Sequence, residues 1–582
     1  MRAPLLARLG NRLWRRELPT WYSPAYRLPI TGLEGSLGIE PRRADYVVWW
    51  LLESRALSRA CLRAPPRISY EDLDRVHTLE HIESLGRPET LARIFAADPS
   101  DVPVDALMDA VRLACGGTLA AAREALRRCG PTLNLLGGFH HAFPAAAGGF
   151  CPVNDVAVAI ATLRAEGFGG KVAVLDLDAH PPDGLAACLA RDEAVWLGSL
   201  SGVSWGPPAG ADETVLRARL DAHGYLEALA ALLGRMPRPA LAFVIAGGDV
   251  LLGDRFGRLG LSLAGARWRD IDVATELAGV PSVWLPGGGY HPEAWRLLAG
   301  TAMALALRSR AAIPARYDPL SRRFRHISAQ LIAAELGETE FTAADLEESL
   351  GLRFQRGRQP LLLLGYYTAA GLEHALYRYG VLDHLRRVGY GGFRVALDHT
   401  PPGERMRLFG RAAGEEHLLM EAVLERRRMA GADVLYVHWL SLRNPRAQFS
   451  ELRPRLPGQE VPGLGMAREI GEMMGLMARR LDTAAVVFRP AHYHTAFPAR
   501  HNFAFLDAAR QGRFQALVRD LAGVPLREAT TAIADGRVLM DGEPYAWESA
   551  EMAIWLRPPP QATRAAEVAR ERERRRFTIV SR

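Results

Sequence analysis

Val172-Ala-Val-Leu-Asp176-Leu-Asp178-Ala-His180-Pro-Pro-Asp183-Gly184 is the stretch that decides how this 582-residue chain is read. A short apolar run, Val172–Leu175, gives way at once to carboxylates and an imidazole. Similar runs recur between longer helix-like stretches, at Thr132–Leu136, Val195–Leu197, Ala240–Ala246 and Ser282–Leu285. Apolar runs of this length, separated by helices, read as parallel strands buried on both faces. The expectation is an α/β domain with a parallel sheet flanked by helices. In such sheets functional groups gather at the carboxyl ends of the strands, so the loops after these runs are where chemistry is sought.

In an extended segment residues two apart face the same side, so Asp176, Asp178 and His180 are expected to point toward one pocket. Carboxylate with neutral imidazole suits Zn²⁺, Fe²⁺ or Mn²⁺. After Ala240–Ala246 comes Gly247-Gly-Asp249-Val-Leu-Leu-Gly253-Asp254, and Asp178, His180 and Asp254 are taken as three ligands that leave a position open for water and substrate. After Thr132–Leu136 stand His140 and His141. Adjacent imidazoles repel when both are charged, but separate carboxylates, here Asp176 and Asp183, hold them in different protonation states. After Ser282–Leu285, Gly287-Gly-Gly-Tyr290 lets backbone approach a ligand and presents a phenol toward a developing oxyanion.

Composition sets the frame: 49% hydrophobic and 24% charged residues describe an ordinary globular protein rather than a disordered or collagen-like one. No run approaches the ~18 apolar residues of a membrane span, and Met1–Glu17 has no signal-peptide core, so a cytoplasmic protein without a membrane partner is expected. Five cysteines without a C-x-x-C pair read as reduced thiols. The charge is +7, and Lys171 is the single lysine among 72 basic residues, which reflects codon bias. Because the arginines are spread along the chain, no nucleic-acid partner is indicated. The sequence leaves the oligomeric state open.

Taken together, Leu136-Gly-Gly-Phe-His140-His141-Ala, Gly149-Phe-Cys-Pro-Val-Asn-Asp155, Asp176-Leu-Asp-Ala-His180, Gly253-Asp254-Arg-Phe-Gly-Arg-Leu-Gly-Leu-Ser262 and Gly287-Gly-Gly-Tyr290 resemble, in order, the signature blocks of the zinc-dependent histone deacetylase superfamily, which includes acetylpolyamine amidohydrolases. The resemblance spans about Trp21 to Leu307. It implies the arginase/deacetylase fold and hydrolysis of an acyl-lysine or acetylpolyamine amide. It further implies Zn²⁺ or Fe²⁺ on Asp178, His180 and Asp254, and a carbonyl-polarising Tyr290. His140 and His141 match the tandem histidines, backed by Asp176 and Asp183. Gly149 and Phe150 match the substrate channel, Asp101 an aspartate that grips substrate backbone, and Ser199-Leu200 a structural monovalent-cation site shared with Asp176, Asp178 and His180. Pro181-Pro182 and Arg255 depart from the family pattern. An arginase-like ureohydrolase and a catalytically silent acyl-lysine reader are the alternatives.

Domain boundaries are expected at 1–310 for this domain, 311–340 for a linker, 341–560 for a second α/β or α+β domain, and 561–582 for an Arg-rich solvated tail. A helix cap is expected at Thr342-Ala-Ala-Asp345. The second domain has strand-like runs at Gln359–Leu364, Phe393–Leu397, Val434–Leu440 and Ala484–Phe488, with helical segments between them. Gly463-Leu-Gly465, ahead of a helix-like run, looks loosely like the coenzyme A loop of GNAT acyltransferases. His492-Tyr-His494 is read as a polar strand edge more readily than as a metal site.

Overall fold

The computed structural model describes residues 5–30, 39–203, 210–308, 312–337, 361–450, 453–559 and 564–580. The chain divides into two compact units, Met1–Arg322 and Arg323–Arg582. The expected helix cap at 342–345 lies outside the described residues.

In the first unit eight strands form one parallel sheet: β1 (Thr20–Trp21), β2 (Leu62–Arg63), β3 (Pro131–Asn134), β4 (Val172–Asp176), β5 (Val195–Ser201), β6 (Ala211–Val215), β7 (Leu241–Ile245) and β8 (Ser282–Leu285). Their order is β2-β1-β3-β8-β7-β4-β5-β6, and every neighbouring pair is parallel. This is the parallel sheet flanked by helices that the sequence pattern predicted. Every residue of β4 and β7 is buried, which explains why these runs are continuously apolar rather than alternating. Val174, Phe243, Ile245 and Val283 share one core with Leu107, Val111 and Leu119 of helix Val104–Arg128 and with Val156 and Ile160 of helix Asp155–Ala165. The long helix passes close to the segment before it: a Cβ at Gly116 would lie 2.0 Å from the Pro66 carbonyl oxygen, so only glycine fits. The sequence missed β1, β2 and β6. The first two are too short to show a period, and β6 is a polar edge strand.

The second unit carries a mixed sheet of β9 (Gly391–Thr400), β10 (Gly403–Ala412), β11 (Glu415–Met429), β12 (Ala432–Leu442), β13 (Ala485–Phe488), β14 (Ala504–Phe505) and β17 (Met552–Trp555). Its order is β14-β17-β13-β12-β11-β10-β9, with only β12 and β13 parallel. A small sheet joins β15 (Val538–Met540), β16 (Glu543–Pro544) and β18 (Phe577–Ile579).

Several boundaries need correction. The stretch expected as a linker contains helix Pro319–Ser328, and Ile327, Leu331 and Leu336 belong to the second unit's core. The division itself falls within that helix. The expected tail is part of the fold: helix Ala565–Arg574 is held by Arg519, which donates to Arg572 O (2.7 Å), and β18 pairs with β15 while Phe577 is buried. Where a strand was expected at 359–364, residues 361–362 carry no regular structure and Leu363 makes a single bridge to Tyr367 across the turn 364–366, while 359–360 lie outside the described residues. His492-Tyr-His494 is no strand edge: His492 caps helix Tyr493–Ala499.

Candidate active site

The four loops singled out in the sequence follow β3, β8, β7 and β4, which are consecutive strands at the centre of the sheet. Their carboxyl ends therefore meet. Asp176 pairs in register with Ile245, so His180 and Asp249 each stand four residues past a register partner. His180 Nδ1 lies 2.9 Å from Asp249 Oδ2 and 3.1 Å from Asp178 Oδ1. Among the described residues, Asp178, His180 and Asp249 bring one ligand atom each within 4.8 Å of one another.

Asp254, the third expected ligand, lies outside that group. Both of its oxygens are engaged by loop amides: Oδ1 accepts from Phe256 N (3.0 Å) and Gly257 N (3.1 Å), and Oδ2 from Tyr290 N (2.7 Å). Its carboxylate ties the loop after β7 to the loop that carries the tyrosine. Asp176 lies outside that group too. Beyond β4 the chain turns, with Asp178 N donating to Asp176 Oδ1 (3.1 Å), and the strict alternation assumed from the sequence ends there.

Instead Asp176 Oδ2 lies 2.8 Å from His140 Nδ1, and Asp183 Oδ1 lies 2.7 Å from His141 Nδ1. The two rings are 4.0 Å apart, and each has its own carboxylate. Their environments pull them in opposite directions. Burial opposes charge on His140, yet Asp176 and Asp178 outweigh it and hold its pKa up at about 9. For His141, burial and the charge of His140 lower the pKa, with Asp183 opposing. One imidazole is thus kept cationic and its neighbour neutral. In the three-residue cluster, burial and the nearby Asp178 push Asp249 up to about 8, as expected of two carboxylates crowded into one buried site.

Residues 38–306 match the family model of the histone deacetylase domain. The first unit belongs to the histone deacetylase superfamily. It is 36% identical over 195 residues to an uncharacterized protein of Picosynechococcus sp., a match that covers 30% of this chain and 61% of that protein's length. Histone deacetylase 2 of Arabidopsis thaliana is 29% identical over 297 residues, covering 48% of this chain and 76% of the relative. Among solved structures, a histone deacetylase homologue complexed with SAHA shares 24% identity with a TM-score of 0.40, covering 50% of this chain and 84% of that one. A homologue from Aquifex aeolicus shares 22% with a TM-score of 0.41 over the same proportions.

The other expected residues of the first unit are distributed around the pair His140 and His141. Phe150 (φ +64°) stands with Phe256 and Tyr290 in an aromatic cluster, with ring centroids 5.6 Å apart for Phe150–Tyr290 and 4.7 Å for Phe256–Tyr290. A Cβ on Gly149 (φ +43°) would lie 2.2 Å from His141 Cδ2, so this glycine and the histidine are packed against one another. Burial and the carboxylate of Asp178 raise the Tyr290 phenol well above its usual range, and it stays neutral. Asp101 ends the 3-10 turn Pro99–Asp101 and is partly exposed. Ser199 pairs in register with Asp176, and its buried Oγ has no hydrogen-bond partner among the described residues. Gly463 and Gly465 (φ +70°) lie in the second unit, just before helix Ala467–Arg480.

Three contributors were not singled out from the sequence. Asp249 was quoted only as part of the loop after β7, although aligning the ends of the strand runs would have marked it beside His180. Asp155 Oδ1 accepts from Gly138 N (3.0 Å) and Phe139 N (2.7 Å), holding the loop in front of the tandem histidines. Arg43 donates to Gly287 O and Gly288 O, each at 3.1 Å, and so braces the glycine loop from helix Arg43–Glu53. No local pattern marks an arginine more than 240 residues away from its partner.

Proposed function

We propose that the first unit hydrolyses the amide of an acylated amine, either an acyl-lysine side chain or an acetylpolyamine. The observation that carries this reading is the pair His140–Asp176 and His141–Asp183, two imidazoles in contact with opposite pKa shifts. Neutral His141 takes the proton of the attacking water and passes it to the leaving amine. His140, kept cationic, stabilises negative charge beside it, and Tyr290 donates a hydrogen bond to the carbonyl oxygen as the tetrahedral centre forms. Phe150, Phe256 and Tyr290 give the stem of the substrate an apolar wall that keeps water away.

The residues present fit a divalent cation. Two buried carboxylates and an imidazole converge, and the crowding that raises Asp249 is relieved by positive charge. We assign Zn²⁺, or Fe²⁺, to Asp178, His180 and Asp249; when bound it polarises the carbonyl and acidifies water. The solitary Ser199 Oγ beside Asp176 supports the structural monovalent cation. Tyr290 and both histidines are the groups that a ureohydrolase or a silent reader does not need, and their presence favours hydrolysis of an acyl amide over either.

The test is a series of acetyl-lysine peptides and acetylpolyamines of varied acyl length. His141→Ala and Tyr290→Phe should each lower kcat about a hundredfold while retaining metal. Wild-type rates in both variants would overturn the reading.

For the second unit we propose a coenzyme A thioester as ligand. β12 and β13 pair only over Val434–Val437 and Ala485–Phe488, whereas β12 runs on to Leu442. The glycine loop enters a helix whose first amides have no side-chain cap. Calorimetry at millimolar coenzyme A tests it, and absence of heat there removes the idea.

A further inference from the structure

The helix Leu5–Trp14 (Leu-Leu-Ala-Arg-Leu-Gly-Asn-Arg-Leu-Trp) contains no buried residue. Leu5, Leu9 and Leu13 recur every four residues and Leu6 stands beside them, so they line one side of the helix. That side is open: Leu6 is 83%, Leu13 77% and Trp14 79% exposed. The opposite side is where the first unit holds the helix. Asn11, two positions from Leu9 and from Leu13, donates to Ser54 O (2.9 Å); Arg15 Nη1 donates to Arg55 O (3.3 Å) and Arg16 N to Ala306 O (2.7 Å). These polar anchors fix the orientation, and the leucines face outward as a consequence.

The charge beside this apolar stripe has one sign. Arg8, Arg12, Arg15 and Arg16 lie within or directly after the helix, and no Asp or Glu occurs before Glu17. Arg12 is exposed at the flank of the leucines. A second copy of the same helix would set arginine against arginine with no carboxylate between them. A surface offering hydrocarbon below and phosphate above matches both features, because leucine and tryptophan sink to the acyl boundary while arginine stays among the headgroups.

We propose that this helix docks the protein on an anionic lipid surface, lying in the interface with Leu5, Leu6, Leu9, Leu13 and Trp14 toward the acyl chains. The sequence expectation set membranes aside because nothing is long enough to span one, and among the described residues no helix is long and apolar enough to cross a membrane. A helix that lies on the surface has no such length requirement.

The test uses the full chain in flotation with vesicles of phosphatidylcholine alone or mixed with phosphatidylglycerol. Binding is expected only to the anionic vesicles and should weaken as salt rises. Leu6→Glu/Leu13→Glu should lower the partition coefficient at least about tenfold, and Arg12→Glu about fivefold or more. Because all three side chains are exposed, circular dichroism should be unchanged. Absence of binding to anionic vesicles, or binding unaffected by the double variant, overturns the proposal. Self-association that depends on the leucines without any vesicle binding overturns it in favour of a second copy.

Discussion

Exchanging the roles of Asp249 and Asp254 makes the sharpest prediction. Asp254→Asn keeps an acceptor for Phe256 N and Gly257 N but turns an amide NH₂ toward Tyr290 N, in place of a 2.7 Å bond to a carboxylate. A hydrogen bond to a charged group contributes about 1.5–3 kcal/mol. If that loss lets Tyr290 drift from the carbonyl, kcat falls about tenfold to a hundredfold. On the proposed assignment to Asp178, His180 and Asp249, metal content should stay at the wild-type level. Asp249→Ala, by contrast, removes an oxygen 2.9 Å from His180 Nδ1 and the acceptor of Ala179 N. Metal affinity should then fall about a hundredfold or more, since even groups that merely support a ligand contribute tenfold to a hundredfold. Metal analysis after gel filtration, chelator competition and kcat on one acetyl-lysine peptide separate the two variants. An Asp254→Asn protein that loses its metal beside an Asp249→Ala protein that keeps it would refute the assignment.

Three further outcomes follow from the same geometry. Gly149→Ala brings a methyl group onto the His141 ring and strains a positive φ, so activity should fall more than about tenfold while the melting temperature changes little; full activity would show that the ring has room to move. His77 Nδ1 donates to Phe143 O (3.0 Å) and Nε2 accepts from Asn154 N (2.9 Å), an arrangement open only to the neutral ring, and burial lowers its pKa from 6.5 to about 4. Since the unfolded chain takes up the proton first, stability is full above pH 6.5 and falls toward pH 4 by up to about 3 kcal/mol; urea midpoints of wild type and His77→Gln should converge over that window. In the second unit, Gly465→Val, at φ +70°, should abolish any coenzyme A heat seen with the wild-type chain, and unchanged heat would place the ligand elsewhere.

The first unit was legible because its signals are short and local. Val172–Leu175 and Ala240–Ala246 are too short and too apolar for surface helices, and the groups just past them are chemically conspicuous. Pairing of each histidine with its own aspartate was also foreseeable from the need to keep the imidazoles in different states. How Asp249 and Asp254 are each engaged was not, because it depends on strand register and on which carboxylate the backbone amides meet. The second unit was harder to read. β11 contains Leu418-Leu-Met-Glu-Ala-Val-Leu-Glu-Arg-Arg-Arg428, mostly residues that favour helices, and a helical segment was expected there. Neighbours on both sides make it a strand: β10 pairs along one edge and β12 along the other, and this tertiary context overrides propensity. The N-terminal helix was seen as a mixture of Arg and Leu, but which side the leucines face depends on Asn11 reaching Ser54, a contact across 43 residues.

The departures from the family pattern act on the machinery rather than on the ligands. Pro182 immediately precedes helix Asp183–Leu189, so Asp183 opens that helix, where its Oδ1 accepts from Gly184 N (2.8 Å) and meets His141. Two prolines in succession restrict the chain entering that turn and fix the carboxylate that orients the neutral imidazole. Arg255 follows Asp254 and sets its guanidinium 5.6 Å from the centre of the Phe256 ring, whose other neighbours are Tyr290 and Phe150. It therefore sets a guanidinium beside the aromatic cluster of Phe150, Phe256 and Tyr290.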